Sequence, residues 1–179
     1  YLPAPMHPMD RINRMDRLEF IDTFGAVYEH SPWIAERALA RRPFANRAAL
    51  VAAMQAVVVE APREAQLALI RAHPELAGRA AAASRLTAHS SGEQARLGIN
   101  ALGRAEFRRL SDLNRRYRER HGFPCIIALA LHATRESVFA ELESRIGNET
   151  EAEFARALEQ IGHIARGRLE KLVRPVAEA

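Results

Sequence analysis

An all-α fold is what this sequence predicts, a compact single-domain bundle of about eight helices. Three observations carry the prediction. Hydrophobic residues fill 48% of the 179 positions, but Ala and Leu supply much of that share while β-branched residues are sparse, a balance that favours helix over sheet. Apolar residues recur three and four positions apart, the spacing that gathers them on one side of a helix. Proline and glycine separate the patterned stretches. The length suits one domain that buries a core without disulfides or metals.

The elements follow in order. Leu18, Ile21, Phe24, Ala26 and Val27 mark a first helix with an inward face. Ser31-Pro32 starts a second through Trp33, Ile34 and Ala38, because serine caps helices and proline fits the first helical position. Helical patterns then run from about Asn46 to Val59 and from Pro62 to Ala72. The latter stops at His73-Pro74, since a residue before proline is pushed out of the α region. A short helix is expected from Glu75 to Ala83, and Ser90-Ser91-Gly92-Glu93 resembles a capping box that opens another. A long charged helix from about Arg104 to Arg120 is broken by Gly122, Phe123 and Pro124. The apolar run Cys125 to Leu131 reads equally as a buried helix turn or a short strand. Thr134 to Arg145 and, after Gly147-Asn148, Glu149 to about Val173 complete the bundle.

Composition narrows the function. Cys125 is the sole cysteine, which excludes an intrachain disulfide, a cysteine-based zinc site and a two-cysteine redox motif, and points to a reducing, cytoplasmic compartment. Tyr1 to Arg14 carries Pro3, Pro5 and Pro8 with charges at Asp10, Arg11 and Arg14, and no apolar core of the kind a secretory signal needs. Residues 1–14 are expected to form a poorly ordered extension ahead of a helical domain over 15–179. No run approaches the roughly 18 to 20 apolar residues of a membrane span, and Val176 to Ala179 match no targeting signal. The net charge is +4, yet Lys171 is the only lysine and the arginines are scattered with glutamates at helical spacing. That pattern reads as solvated helix faces, with no nucleic-acid partner.

Two places can carry chemistry. His73 closes a helix ahead of Pro74 and beside Glu75, where an imidazole can project into a cleft and titrate near neutral pH; the same position also suits a histidine that merely packs a loop. Glu93 and Gln94 follow Ser90, and a carboxylate there either bonds back to the cap amide or, with the free N–H groups of a first turn, helps to hold anionic ligand oxygens. His7, His30, His89, His121, His132 and His163 show no metal-ligand spacing, so no metal is expected. Serine-hydrolase, phosphate-loop and dinucleotide fingerprints are all missing, which leaves cofactor-free chemistry or none.

Five segments together resemble a known family, the OHCU decarboxylases, which convert 2-oxo-4-hydroxy-4-carboxy-5-ureidoimidazoline (OHCU) to (S)-allantoin with loss of carbon dioxide. They are FIDTFGAVYEHSPWIAERAL (20–39), AHPELAG (72–78), LTAHSSGEQARLGIN (86–100), LNRRYRERHGFPCII (113–127) and IGHIARGRLEKL (161–172), in this order and spacing. The resemblance implies that His73 is the proton donor and that Pro74 lines the substrate. It also implies that Ser90, Ser91, Gly92, Glu93 and Gln94 form the substrate-binding turn, with Glu93 as its functional carboxylate. Cys125, Ile126, Ile127, Ala128 and Leu129 would hold the ring partly through main-chain groups. Arg168 would be an active-site arginine, with Arg166 close enough to compete. The resemblance further implies a homodimer that uses no cofactor and acts on a small molecule. Cys125 and His121 stand where the family usually has aromatic residues, and Ala130-Leu131 where a basic residue and a glycine are more usual. An all-helical binding module for nucleic acid or protein and a related ureido-ring lyase or hydrolase are the alternatives.

Overall fold

The computed structural model describes residues 5–77 and 88–176. Polar side chains start several helices where the sequence suggests. Asp16 accepts from Glu19 N–H at 2.8 Å, Asn46 from Ala49 N–H at 2.9 Å and Thr134 from Ser137 N–H at 3.2 Å, each satisfying an amide that the first turn leaves open. Ser31 does otherwise. Its hydroxyl donates to the Glu29 carbonyl at 2.8 Å, and the following helix begins after Pro32 without a side-chain cap.

The helices are α1 (Met9–Ile12), α2 (Arg17–Phe24), α3 (Trp33–Leu39), α4 (Arg47–Glu60), α5 (Arg63–Ala72), α6 (Ala88–Arg96), α7 (Arg104–His121), α8 (Arg135–Ile146) and α9 (Thr150–Leu172). Single 3-10 turns occur at Ile99–Ala101 and Leu129–Leu131. Among the described residues the only β pairing is an isolated bridge between His7 and Val173. The fold is all-α, as the composition implies.

The chain divides into two units, Tyr1–Leu69 with Ala165–Ala179, and Ile70–Ile164. In the first, α3 packs on α2 and α4 around Phe20, Phe24, Ile34, Leu50 and Met54, all fully buried. Residues 7–14, assigned by the sequence to the extension, take part: Ile12 is fully buried, and His7 bonds through its N–H to Leu172 C=O and through its C=O to Arg174 N–H, both at 2.8 Å. In the second, α7 packs on α8 around Leu110, Tyr117, Val138, Phe139 and Leu142. Gly122 ends α7 in the left-handed region at φ 79°, where glycine alone is unstrained.

Three sequence expectations change. Residues 75–77 form a turn, while the rest of the helix expected over Glu75 to Ala83 lies outside the described residues. The helix expected to open at Ser90 is already formed at Ala88, where the described residues resume, so Ser90 has helical conformation and is no cap. Cys125 to Ala128 is neither helix nor strand, and Ala128, in extended conformation at φ −74° and ψ 97°, leads into the Leu129–Leu131 turn.

Candidate active site

His73 lies at the point where α5 has to stop. Its N–H still reaches Ile70 C=O at 3.2 Å, Pro74 prevents another turn, and the side chain is buried. The chain then bends sharply, with Ala77 at φ 49°, an uncommon conformation for a residue with a side chain. Side chains from two helices hold that bend: Asn114 of α7 donates to Leu76 C=O at 3.0 Å, and Gln94 of α6 accepts from Ala77 N–H at 3.2 Å. Glu75 forms an ion pair with Arg118. The His73 turn is thus fixed by its carbonyl, its amide and its carboxylate.

Helix α6 presents Ser90, Glu93 and Gln94 on one flank, at three- and four-residue spacing. Ser90 and Gln94 are buried and Glu93 is half-buried, whereas Ser91 and Gly92 are exposed on the other flank. The Gln94–Ala77 bond joins this flank to the His73 turn. The structure therefore brings together the Ser90–Glu93–Gln94 face and the histidine turn, while Ser91 and Gly92 offer no inward side chain. Glu93 stands past the first turn of α6, so its amide is not among those that a helix leaves open at its start.

Cys125, Ile126, Ile127, Ala128 and Leu129 are all buried. Chain buried outside helix and strand needs partners for its polar groups, and here side chains supply several of them. Arg145 of α8 donates to Ile126 C=O at 2.7 Å, Gln160 of α9 accepts from Ala128 N–H at 2.9 Å, and Arg96 of α6 donates to the carbonyls of Leu129 and, at 2.8 Å, His132. Arg96 thereby links α6 to the far end of the segment.

A buried polar network backs this segment. Arg145 Nε donates to Glu153 Oε1 at 2.8 Å, Tyr117 Oη donates to the same oxygen at 2.6 Å, and Asn148 Nδ2 donates to Oε2 at 3.0 Å. Burial alone would raise the Glu153 carboxyl, but the hydrogen bonds from Asn148 and Tyr117 and the charge of Arg145 outweigh it and hold the group below the ordinary range. Burial pushes the Tyr117 hydroxyl up, and it pushes the Cys125 thiol up to about 12, since the charge of Arg145 offsets only part of the desolvation. Cys125 is therefore a small apolar wall residue at neutral pH. His121 is buried too, with Nδ1 on Thr150 Oγ1 at 2.8 Å and Nε2 on Ile146 C=O at 3.1 Å.

In the first unit the two C-terminal arginines differ. Arg166 is exposed, whereas Arg168 is 3% exposed and donates to Glu29 Oε1 at 2.9 Å and Val27 C=O at 3.0 Å. The sequence reading missed Glu29, Arg96, Asn114, Arg145, Glu153 and Gln160. Glu29 and Asn114 lie in segments that carried the resemblance, but nothing in their spacing marks them as buried. Glu153 and Gln160 stand seven apart in α9, the one sequence signal of an inward polar stripe. Among the described residues no group of three or more His, Cys, Asp or Glu side chains is placed to hold a metal ion.

The model of the OHCU decarboxylase family matches residues 13–170. The chain belongs to that family. A 2-oxo-4-hydroxy-4-carboxy-5-ureidoimidazoline decarboxylase of Haloferax volcanii is 40% identical over 161 residues, covering 90% of this chain and 93% of the relative, and one of Mus musculus is 38% identical, covering 92% of each. A uric acid degradation bifunctional protein of Bacillus subtilis is 38% identical over 94% of this chain, which spans 33% of that protein. Among solved structures, an (S)-allantoin synthase superposes with a TM-score of 0.71 at 31% identity, over 93% of this chain and 54% of that one.

Proposed function

We propose that this family member is a carboxy-lyase of urate degradation that removes carbon dioxide from OHCU to leave (S)-allantoin, with His73 and Glu93 performing the proton transfers. The observation that supports the catalytic assignment is the Gln94–Ala77 hydrogen bond, which ties the residue beside Glu93 to the turn that begins at His73. The decarboxylase relatives and the likeness to an (S)-allantoin synthase support the substrate and the product.

The substrate's own ring explains why no cofactor is needed. The bond to the carboxylate breaks, its electron pair forms a C=C bond as the adjacent C=N electrons move onto the ring nitrogen, which takes a proton from solvent; the hydroxyl then loses a proton, and the ureido-bearing carbon gains one. The protein then has to fix the ring, stabilise the developing charge and deliver that proton to one face. In this reading His73, with Glu93, takes the hydroxyl proton and protonates the product. Pro74, Ser90 and Gln94 wall the ring, and the 125–129 segment meets it through main-chain groups. Ser91 and Gly92 contribute as part of the α6 backbone that carries Ser90, Glu93 and Gln94. Arg168, its guanidinium steadied by Glu29, serves as the cation for substrate oxygens. A cytoplasmic homodimer belongs to the same reading, and light scattering in solution tests the dimer.

The exposed arginines of α7 weaken the nucleic-acid alternative. Arg109 pairs with Glu136 and Glu143, Arg115 with Asp112 and Glu119, and Arg116 with Asp112, so the helix is laced with carboxylates. The deciding experiment is His73→Ala, assayed on freshly generated OHCU with circular dichroism of the product. Because OHCU also decays without enzyme to racemic allantoin, optical activity is the sharper readout. Loss of about 10²- to 10⁴-fold in the enzymatic rate, with the helical spectrum retained, is the expected result; (S)-allantoin at the parental rate would remove His73 from the mechanism.

A further inference from the structure

Residues 125–128 are buried without helix or strand hydrogen bonding, so their backbone groups depend on side chains. Arg145 holds Ile126 C=O and Gln160 holds Ala128 N–H. Between these two grips stands Ile127, 4% exposed, whose N–H and C=O have no hydrogen-bond partner among the described residues. Backbone groups buried to that degree are paired in nearly all proteins. A donor and an acceptor on one residue can serve the C=O and N–H of an amide or ureido group.

The two grips are built rather than incidental. Arg145, Glu153 and Gln160 are 2%, 2% and 4% exposed. Arg145 is itself fixed by Glu153, which Tyr117 and Asn148 hold in turn. We infer that Gln160 and Arg145 are positioning residues for the reaction: by holding the backbone on both sides of Ile127, at Ile126 C=O and Ala128 N–H, they keep the N–H and C=O of Ile127 set for the ligand. This rests on the function proposed above, in which the segment meets the substrate.

Gln160 gives the cleaner test, because Arg145 also belongs to a buried ion pair. Gln160→Met keeps the volume but removes the acceptor, Gln160→Asn draws the acceptor back by one methylene, and Gln160→Glu keeps an accepting oxygen at full length. Each is compared with the parent by thermal midpoint, by kcat and KM on fresh OHCU, and by the optical purity of the allantoin formed. The proposal expects Gln160→Met and Gln160→Asn to raise KM, to lower kcat/KM by about 10- to 100-fold and to lose optical purity, and Gln160→Glu to stay within about threefold of the parent. A purely structural role would lower the midpoint and leave KM and optical purity unmoved, and that result in either Gln160→Met or Gln160→Asn overturns the proposal. If one of these two does not fold, the other carries the comparison with Gln160→Glu. A parent chain that does not turn over OHCU overturns the proposed function instead, and this inference with it.

Discussion

A thiol raised to about 12 by burial is almost wholly protonated at pH 8, with a thiolate fraction of roughly 10⁻⁴ against about a quarter for an unperturbed cysteine. Cys125 is 5% exposed as well. Iodoacetamide should therefore label the folded chain at pH 8 at least about a hundredfold more slowly than the chain in denaturant, as read by intact mass. Rapid labelling of the folded chain would mean that the 125–129 segment opens to solvent far more often than its buried hydrogen bonds imply. His73 and Cys125 make an instructive pair. Both are candidate site residues, His73 on its position before Pro74 and Cys125 on the resemblance, and both are buried, but the thiol stays protonated at neutral pH. The thiol can contribute shape alone.

Helices in this chain were legible wherever a local signal set their ends. Asn46 and Thr134 cap α4 and α8, and Gly122 stops α7 in the conformation that a residue with a side chain resists. Asn46→Ala should cost about 1 kcal/mol by leaving the Ala49 amide without its partner, seen as a fall of roughly 2–4 °C in the thermal midpoint. Gly122→Ala should cost about 1–2 kcal/mol, since a Cβ is strained at φ 79°. Scanning calorimetry checks both, and an unchanged midpoint in either would mean that the helix end relaxes at no cost. The start of α6 was misread for a physical reason. Serine three residues ahead of glutamate is the spacing of a capping box and equally that of two side chains on one helix flank, and only the second arrangement forms here. The 125–131 run had no local answer at all. Its backbone partners are Arg96, Arg145 and Gln160, 19 to 33 residues distant in sequence, so no window of sequence around it contains them. His73, Glu93 and Gln94 were legible as candidates, whereas Asn114 as a brace, and Gln94 in that same role, gain their meaning only from the bent carbonyl and amide of the turn.

At the scale of the molecule, acid should reach the Glu153 network through a definite sign. The folded carboxyl is held below its ordinary value of 4.5, so near and below that pH the unfolded chain binds a proton that the folded chain still refuses, and stability falls as pH falls. The contribution is complete above about pH 5–6, declines as pH drops past 4.5, and is exhausted once pH lies below the folded value. Glu153→Gln cannot titrate and leaves buried Arg145 with Glu141, at 3.4 Å, as its remaining carboxylate partner, so at pH 7 it should destabilise by about 3 kcal/mol, the low end for a broken buried pair. The difference between parent and variant, measured by denaturant unfolding from pH 7 down to pH 3, should shrink on the acid side because the parent loses there what the variant never had. A difference that stays constant across that range would show that Glu153 stabilises by packing and neutral hydrogen bonding rather than by charge. Since the same carboxylate fixes Arg145, and Arg145 fixes Ile126 C=O, the acid limb of activity should follow that of stability more closely in the parent than in Gln160→Met, where one of the two grips on the segment is already gone.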